Sequence, residues 1–214
     1  MENLINYDFI KKYIEELTPK TSQFMQKLEI FAYYNHVPII TKDTRRFLEI
    51  FLKILKPKKI LEVGTAIGYS AITFANIVKD ATITSIEIDD NMFDLAYKNI
   101  KKAGYSDRIN LILDDARNVL PYLETTYDFI FLDAAKGQYT EYYEPVKKLL
   151  KTGGVLMSDN ILFKGMVANC DIVQKNKRSI VNDLMDYNKM LSEDKDFDTS
   201  FIPMGDGVAI SIKI

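Results

Sequence analysis

Two glycines and a later glutamate are spaced as a nucleoside site would require. Gly64 and Gly68 lie in the segment EVGTAIGYS, where an apolar run gives way to a helical pattern, so the backbone there could approach a ligand closely. Glu87 ends the next apolar run, nineteen residues after Gly68, and could accept hydrogen bonds from both hydroxyls of a ribose. Ser70, at the start of the helix, could donate to a carboxylate of the same ligand. The simpler interpretation is a tight turn beside a solvated acid.

A third feature agrees with an adenosine-containing cofactor. The dipeptide Asp115-Ala116 follows the third apolar run, where an adenine ring would lie against the edge of a sheet. Asp115 would serve equally well as the N-cap of a helix. The glycine spacing is G-x-x-x-G, which differs from the G-x-G-x-x-G of dinucleotide-binding proteins.

Hard oxygen donors follow the fourth and fifth apolar runs. Asp133 ends the run FIFLD, and Asp159 and Asn160 end the run VLMSDN. The carboxyl ends of parallel strands open onto one crevice, so these side chains are expected together. A set of oxygen donors without His or Cys suits Mg²⁺. The competing interpretation is that the two carboxylates cap the helices that follow. Lys136 would face a group on the metal, or would be a solvated lysine.

Alternating strands and helices must position these residues. Helical periodicity covers residues 8–34, with a break at Thr18-Pro19, and residues 43–55. Short apolar runs then alternate with helical stretches, which predicts a parallel sheet covered by helices on both faces. The runs at 198–203 and 208–214 predict a closing antiparallel hairpin. We therefore expect one α/β domain over residues 1–214, with N-terminal helices in 1–56 and the core in 57–214.

Composition narrows the class of protein. The chain has 214 residues, 47% of them hydrophobic and 27% charged, as in ordinary globular proteins. Its formal charge of -2 gives no global basic field for nucleic acid, although a local basic surface remains possible. The single Cys170 cannot form an internal disulfide, and no membrane-spanning run or secretory signal is present. These features favour a cytoplasmic protein without a membrane partner.

In combination, the segments LEVGTAIGYS, SIEID, LDDA, FIFLDAAKG and MSDNILFKGMV resemble the metal-dependent S-adenosylmethionine O-methyltransferases, which include the catechol and caffeoyl-CoA enzymes. The resemblance spans about residues 36–214 and implies a Rossmann-like class I fold with a mostly parallel seven-stranded sheet. It implies contacts with S-adenosylmethionine from the following residues: Ile40, Glu62, Gly64, Ser70, Glu87, Asp115, Ala116 and Asp133. It further implies that Asp133, Asp159 and Asn160 hold Mg²⁺ or another divalent cation, and that Lys136 is the general base beside Asp133.

The run SDNILFKGMV and the short length look most like the bacterial tRNA 5-hydroxyuridine methyltransferases. That resemblance implies O-methylation at the wobble position of the tRNA anticodon. Catechols and 5-hydroxyuridine both present two neighbouring oxygens, so the active-site motifs do not separate them. A small phenolic substrate is therefore the alternative.

Features around the expected pocket would distinguish the two substrates. The segment after the fifth run is locally basic and could hold phosphates beside a flipped base; its cations are Lys164, Lys175, Lys177 and Arg178. Four aromatic residues could offer a stacking face: Tyr139, Tyr142, Tyr143 and Phe163. The other interpretation is that the lysines are solubilising and the tyrosines pack a helix. The wide apolar faces of the N-terminal helices, as in relatives, predict a homodimer.

Overall fold

The computed structural model describes residues 5–214, so the first four residues of the predicted N-terminal segment lie outside the described part. The described residues divide into two compact units. An N-terminal unit comprises Asp8–Ala116, and a C-terminal unit comprises Arg117–Ile214 together with residues 5–7. The single domain expected from the chain length therefore stays a prediction.

The N-terminal unit contains three helices followed by alternating strands and helices. Its elements are α1 (Asp8–Leu17), α2 (Gln23–Tyr34), α3 (Lys42–Leu55), β1 (Lys59–Val63), α4 (Tyr69–Ile77), β2 (Thr82–Glu87), α5 (Asp90–Ala103) and β3 (Ile109–Leu113). The break between α1 and α2 lies at Thr18-Pro19, as proline cannot continue a helix. Helix α2 begins after Ser22, whose hydroxyl accepts a hydrogen bond from the Met25 N–H at 3.3 Å.

Helix α1 presents its apolar side chains to solvent. None of its ten described residues is buried. The side chains of Phe9, Tyr13 and Leu17, four residues apart on one face, are 70%, 63% and 66% exposed. This helix therefore carries an apolar stripe that the N-terminal unit itself leaves uncovered.

The second half of the chain repeats the alternation and ends in a hairpin. Its elements are α6 (Ala116–Val119), β4 (Tyr127–Leu132), α7 (Tyr139–Leu149), β5 (Leu150–Asp159), α8 (Arg178–Glu193), β6 (Phe197–Ile202) and β7 (Val208–Lys213). The side chains of β4 and of the second half of β5 are almost completely buried, which explains why their sequences are apolar without alternation.

The seven strands form one sheet in the order β3-β2-β1-β4-β5-β7-β6. Strand β1 pairs with β2, β2 with β3 and β4 with β5 in parallel, whereas β7 is antiparallel to both β5 and β6. The mostly parallel seven-stranded sheet with a closing antiparallel hairpin, predicted from the sequence, is confirmed.

Helix α8 (Arg178–Glu193) is not among the elements expected above. Its core face consists of Val181, Leu184, Tyr187 and Leu191. These residues are separated by three or four positions, so the sequence does carry the helical period in this segment. Strand β5 also begins at Leu150 rather than near Gly154.

Within residues 5–214, every helix is too short or too polar to cross a lipid bilayer.

Candidate functional site

The glycine loop between β1 and α4 (residues 64–68) has left-handed backbone dihedral angles at its two glycines. Gly64 and Gly68 have φ values of 98° and 81°, in the left-handed region that glycine enters without steric cost. Gly68 also lies against α5, since a Cβ on it would be 3.4 Å from the Cα of Ala96. The loop therefore turns tightly into the first turn of α4, as the sequence predicted.

Glu87 holds this loop through its carboxylate. Its Oε2 accepts hydrogen bonds from the N–H groups of Thr65 at 3.1 Å and Ala66 at 2.7 Å. Its Oε1 accepts from the N–H groups of Ile88 at 3.0 Å and Asp89 at 2.9 Å. A carboxylate has about four lone-pair positions, so four amides use them all. Glu87 therefore positions the loop, and the predicted binding of a ribose would require the ribose hydroxyls to replace some of these amides.

The other residues implied as cofactor contacts differ in exposure. Most of them are buried and Asp115 is half-buried: Ile40, Glu62, Ser70, Asp115 and Ala116. Glu62 is fully buried and accepts a hydrogen bond from the Ser85 hydroxyl. Ser70 lies in the first turn of α4, directly after the loop. The assignment of these side chains to a cofactor stays a prediction.

In the C-terminal unit, Asp133 and Asp159 come from the ends of adjacent parallel strands. Leu132 of β4 pairs with Ser158 of β5, so the aspartates occupy the next position on each strand. Asp159 is 3% exposed, and its Oδ1 accepts a hydrogen bond from the Asn160 N–H at 2.7 Å. Asn160 adopts a left-handed φ of 60°, a conformation that asparagine tolerates better than most residues. The structure thus places both aspartates, with Asn160 beside them, at one end of the β4–β5 pair.

The two carboxylates are in an environment that disfavours their charge. Burial raises the pKa of Asp159, and the charge of Asp133 raises it further. Burial also raises the pKa of Asp133, against the opposing effect of the Lys136 ammonium. The Nζ of Lys136 lies 3.6 Å from Oδ1 of Asp133. Two acids that are desolvated together are stabilised by a nearby cation.

The donor set matches a hard divalent cation with an incomplete protein shell. Asp133 and Asp159 are the two carboxylates at the strand ends, and over residues 5–214 no three His, Cys, Asp or Glu side chains cluster as a metal site. Mg²⁺ is commonly bound by one or two carboxylates and keeps water or substrate oxygens in its other positions. The side-chain oxygen of Asn160 would supply a third hard donor. The residues present therefore fit Mg²⁺.

Asp206 is a third acid near this site that our sequence analysis did not single out. It lies in the turn between β6 and β7, and its charge raises the pKa of both Asp133 and Asp159. Its Oδ1 accepts a hydrogen bond from the Lys164 N–H, and its carbonyl accepts one from the Leu162 N–H at 3.1 Å. The turn sequence GDG indicated a hairpin, but its contact with a loop 40 residues earlier had no signal in the sequence.

That turn is packed closely on the loop after β5. The carbonyl of Gly207 accepts a hydrogen bond from the Ile161 N–H at 3.0 Å. A Cβ on Gly207 would lie 2.4 Å from Cγ of Leu162, and Gly207 has a φ of +85°. Only glycine fits there without displacing the loop.

The tyrosines of α7 do not form a stacking face, so that interpretation was wrong. Tyr139, Tyr142 and Tyr143 are 0%, 3% and 3% exposed, because they pack α7 into the core of the C-terminal unit. Phe163 is half-buried. The basic side chains of the following segment do reach solvent, with Lys164, Lys175 and Arg178 exposed and Lys177 half-exposed.

Comparison with known proteins gives a consistent family. A family model described as O-methyltransferase matches residues 15–214. Caffeoyl-CoA O-methyltransferase of Populus kitakamiensis is 36% identical over 176 residues, covering 78% of this chain and 75% of that protein. Flavonoid 3',5'-methyltransferase of Vitis vinifera is 33% identical, covering 92% of this chain and 86% of that protein.

Two crystal structures have the same fold over nearly the whole chain. A candidate caffeoyl-CoA O-methyltransferase from Staphylococcus aureus superposes with a TM-score of 0.91 at 35% identity, covering 97% of this chain and 100% of that one. The methyltransferase PaMTH1 of Podospora anserina, bound to S-adenosylhomocysteine, superposes with a TM-score of 0.86 at 26% identity, covering 97% and 94%.

Proposed function

This chain belongs to the O-methyltransferase family, and from that premise we propose that it transfers the methyl group of S-adenosylmethionine to a hydroxyl oxygen beside a divalent cation. The observation that carries the proposal is the pair of oxygen donors, Asp133 and Asp159, at the ends of adjacent parallel strands with Asn160 beside them. The methyl donor is supported by the relative PaMTH1, whose structure holds S-adenosylhomocysteine.

The residues of the proposed site would have separate roles in the reaction. Asp133, Asp159 and Asn160 would hold the cation, which when bound acts as a Lewis acid that fixes two neighbouring substrate oxygens and lowers the pKa of the hydroxyl. Lys136, after releasing its own proton to solvent, would take the hydroxyl proton as a neutral amine. The methyl group would then pass from the sulfonium to the oxygen, leaving S-adenosylhomocysteine as the thioether product. Glu87 and the glycine loop would hold the adenosine part of the donor.

The substrate that we favour is a phenol with two adjacent hydroxyls, of the caffeoyl or catechol type. Two neighbouring oxygens suit a cation that has only three protein donors. The curated relatives support this class, because the enzymes from Populus and Vitis are named for caffeoyl-CoA and for flavonoids.

A specific observation also keeps 5-hydroxyuridine in the tRNA anticodon as a second candidate. Lys164, Lys175 and Arg178 are exposed on the segment that follows β5, where they could hold phosphates. With the α7 tyrosines buried, this substrate would have Phe163 as its remaining stacking residue among the four proposed.

A direct competition separates the candidates. Purified protein is incubated with S-adenosylmethionine and Mg²⁺ together with caffeoyl-CoA, catechol, and an anticodon stem-loop carrying 5-hydroxyuridine, and products are quantified by mass spectrometry. We expect methylation of the phenols at a kcat/KM at least 10-fold above that of the RNA. Methylation of the RNA alone would establish the second candidate, and no methylation in EDTA-treated samples is expected for either.

We also propose that a second copy of this chain covers the apolar stripe of α1. The side chains of Phe9, Tyr13 and Leu17 are each more than 60% exposed, and such a stripe on a helix typically marks an interface. Light scattering should give twice the mass of the 24.7 kDa chain. The double substitution Phe9→Asp, Tyr13→Asp should give monomers, and a wild-type protein that is already monomeric would refute the proposal.

A further inference from the structure

The hydroxyl of Tyr139 joins the two strand ends that carry the aspartates. Its oxygen lies 3.0 Å from the carbonyl oxygen of Asp159 and 3.3 Å from the carbonyl oxygen of Leu132, the residue before Asp133. Tyr139 is the first residue of α7 and is fully buried. One phenol therefore bridges the main chain of β5 and the main chain of β4 at the place where both strands end.

This bridge lies where the sheet no longer fixes the distance between the two strands. The parallel register of β4 and β5 ends with Leu132 paired to Ser158. Asp133 and Asp159 come one residue later on each strand, so the separation of their carboxylates depends on contacts beyond that register. The Tyr139 hydroxyl makes such a contact with both strands.

The charges around Tyr139 agree with this position. Burial raises its pKa strongly, and the charges of Asp133 and Asp159 raise it further. The phenol therefore stays protonated at neutral pH. A protonated phenol has one O–H donor, which the two carbonyl oxygens share.

A second set of contacts fixes Tyr139 itself. The Tyr139 N–H donates to Oδ2 of Asp183 at 3.0 Å, and the Thr140 hydroxyl donates to Oδ1 of the same residue. Asp183 belongs to α8 and so caps α7, whose own N-cap residue, Gln138, makes no capping hydrogen bond with its side chain. The Tyr139 ring packs edge-on against Tyr187 of α8, with 5.2 Å between centroids.

We propose that Tyr139 is a positioning residue for the divalent cation: its hydroxyl holds the ends of β4 and β5 at the spacing that lets Asp133 and Asp159 bind one ion. The inference rests on the proposed function, since it assumes that these aspartates bind a metal. It adds a side chain that touches neither the ion nor the substrate and acts through the main chain of two strands. Groups that orient metal ligands in this way commonly change metal affinity 10- to 100-fold when they are removed.

The test measures metal affinity in the absence of both substrates. Free Mn²⁺ is titrated against the whole protein and followed by electron paramagnetic resonance. Tyr139→Phe removes only the bridging hydroxyl, and we expect its Kd for Mn²⁺ to rise about 10-fold. Tyr143→Phe is the matched control, because it removes a hydroxyl from the same helix that donates to Asp194 instead; its Kd should stay within about twofold of the wild type.

The outcomes separate this inference from the one on which it rests. If the wild-type protein does not bind Mn²⁺, the proposed metal site fails. If the wild type binds and folded Tyr139→Phe binds equally well, Tyr139 is a packing residue and this inference is overturned. If Tyr139→Phe does not fold, the titration uses Asp183→Asn, which weakens the cap that fixes α7 and leaves the phenol in place. A Kd raised about threefold is expected there, and an unchanged Kd would overturn the inference.

Discussion

Replacing Gly207 by alanine should loosen the contact between the hairpin turn and the loop after β5. Two independent costs arise from the structure. A φ of +85° disfavours any Cβ by roughly 1–2 kcal/mol. The new methyl group would also lie 2.4 Å from Cγ and 2.7 Å from Cβ of Leu162, and overpacking of this kind costs about 1–3 kcal/mol. We therefore expect the free energy of unfolding to fall by about 3 kcal/mol.

A second glycine in the same unit separates the two costs. Gly153 has a φ of +77°, but a Cβ on it would have no neighbour within 4 Å. Gly153→Ala should therefore show only the backbone cost, about 1 kcal/mol. Leu162→Ala removes Cγ but keeps Cβ at 2.7 Å, so the double variant Gly207→Ala, Leu162→Ala should restore only part of the overpacking cost, about 1 kcal/mol relative to the sum of the single variants.

Urea unfolding followed by circular dichroism measures all four variants. The reasoning is refuted if Gly207→Ala is no less stable than Gly153→Ala, or if the Leu162→Ala cost simply adds to that of Gly207→Ala. Because Gly207 also accepts the Ile161 N–H, methyl transfer by Gly207→Ala should be slowed at a temperature where the variant is still folded.

Three further changes test other parts of the molecule. Glu87→Gln places an amide N–H₂ group against the backbone N–H donors that the carboxylate accepts from. Calorimetry should then show the binding of S-adenosylhomocysteine weakened at least 10-fold, and an unchanged affinity would contradict the role of Glu87. Asp194→Asn should lower the free energy of unfolding at pH 7 by about 1–2 kcal/mol, since Asp194 pairs with Lys147 at 2.5 Å and accepts from Tyr143. Although burial opposes it, the Lys147 hydrogen bond lowers the pKa of Asp194. This contribution is therefore present above the unfolded pKa of about 3.9 and is lost as the pH falls through the lower folded value. A wild-type advantage that does not shrink as the pH falls below about 3.9 would contradict the assignment. Asp159→Asn should abolish Mn²⁺ binding, and retained binding would exclude Asp159 as a ligand.

The sequence predicted those parts of the fold whose cause is local. Buried strands such as β4 appear as uninterrupted apolar runs, and the glycine loop needs residues that accept a left-handed backbone. The pairing of Asp133 with Asp159 also followed, because the carboxyl ends of parallel strands meet at one edge.

The remaining features depend on contacts between distant segments. Asp206 accepts a hydrogen bond from Lys164, 42 residues earlier, and Asp183 caps a helix 44 residues earlier. Nothing in the local sequence around either aspartate indicates these partners. The α7 tyrosines looked like a stacking surface because aromatic residues suit both a ligand and a core, and only the packing of α8 decides between them. The position of Glu87 in the sequence likewise indicated a ligand-binding residue. Its hydrogen bonds with four backbone N–H groups could not be predicted from the local sequence.

Strand β7 lies between β5 and β6 in the sheet although it follows both in the chain. During synthesis, one side of β5 therefore remains without its hydrogen-bonding partner while about fifty further residues are added. The backbone groups of Val155–Asp159 on that side stay unpaired until Val208–Ile212 has left the ribosome. An unpaired apolar strand is a template for intermolecular association. The nascent chain therefore carries an unpaired side of β5 throughout this interval, and slowing translation between β5 and β7 should lower the yield of native protein.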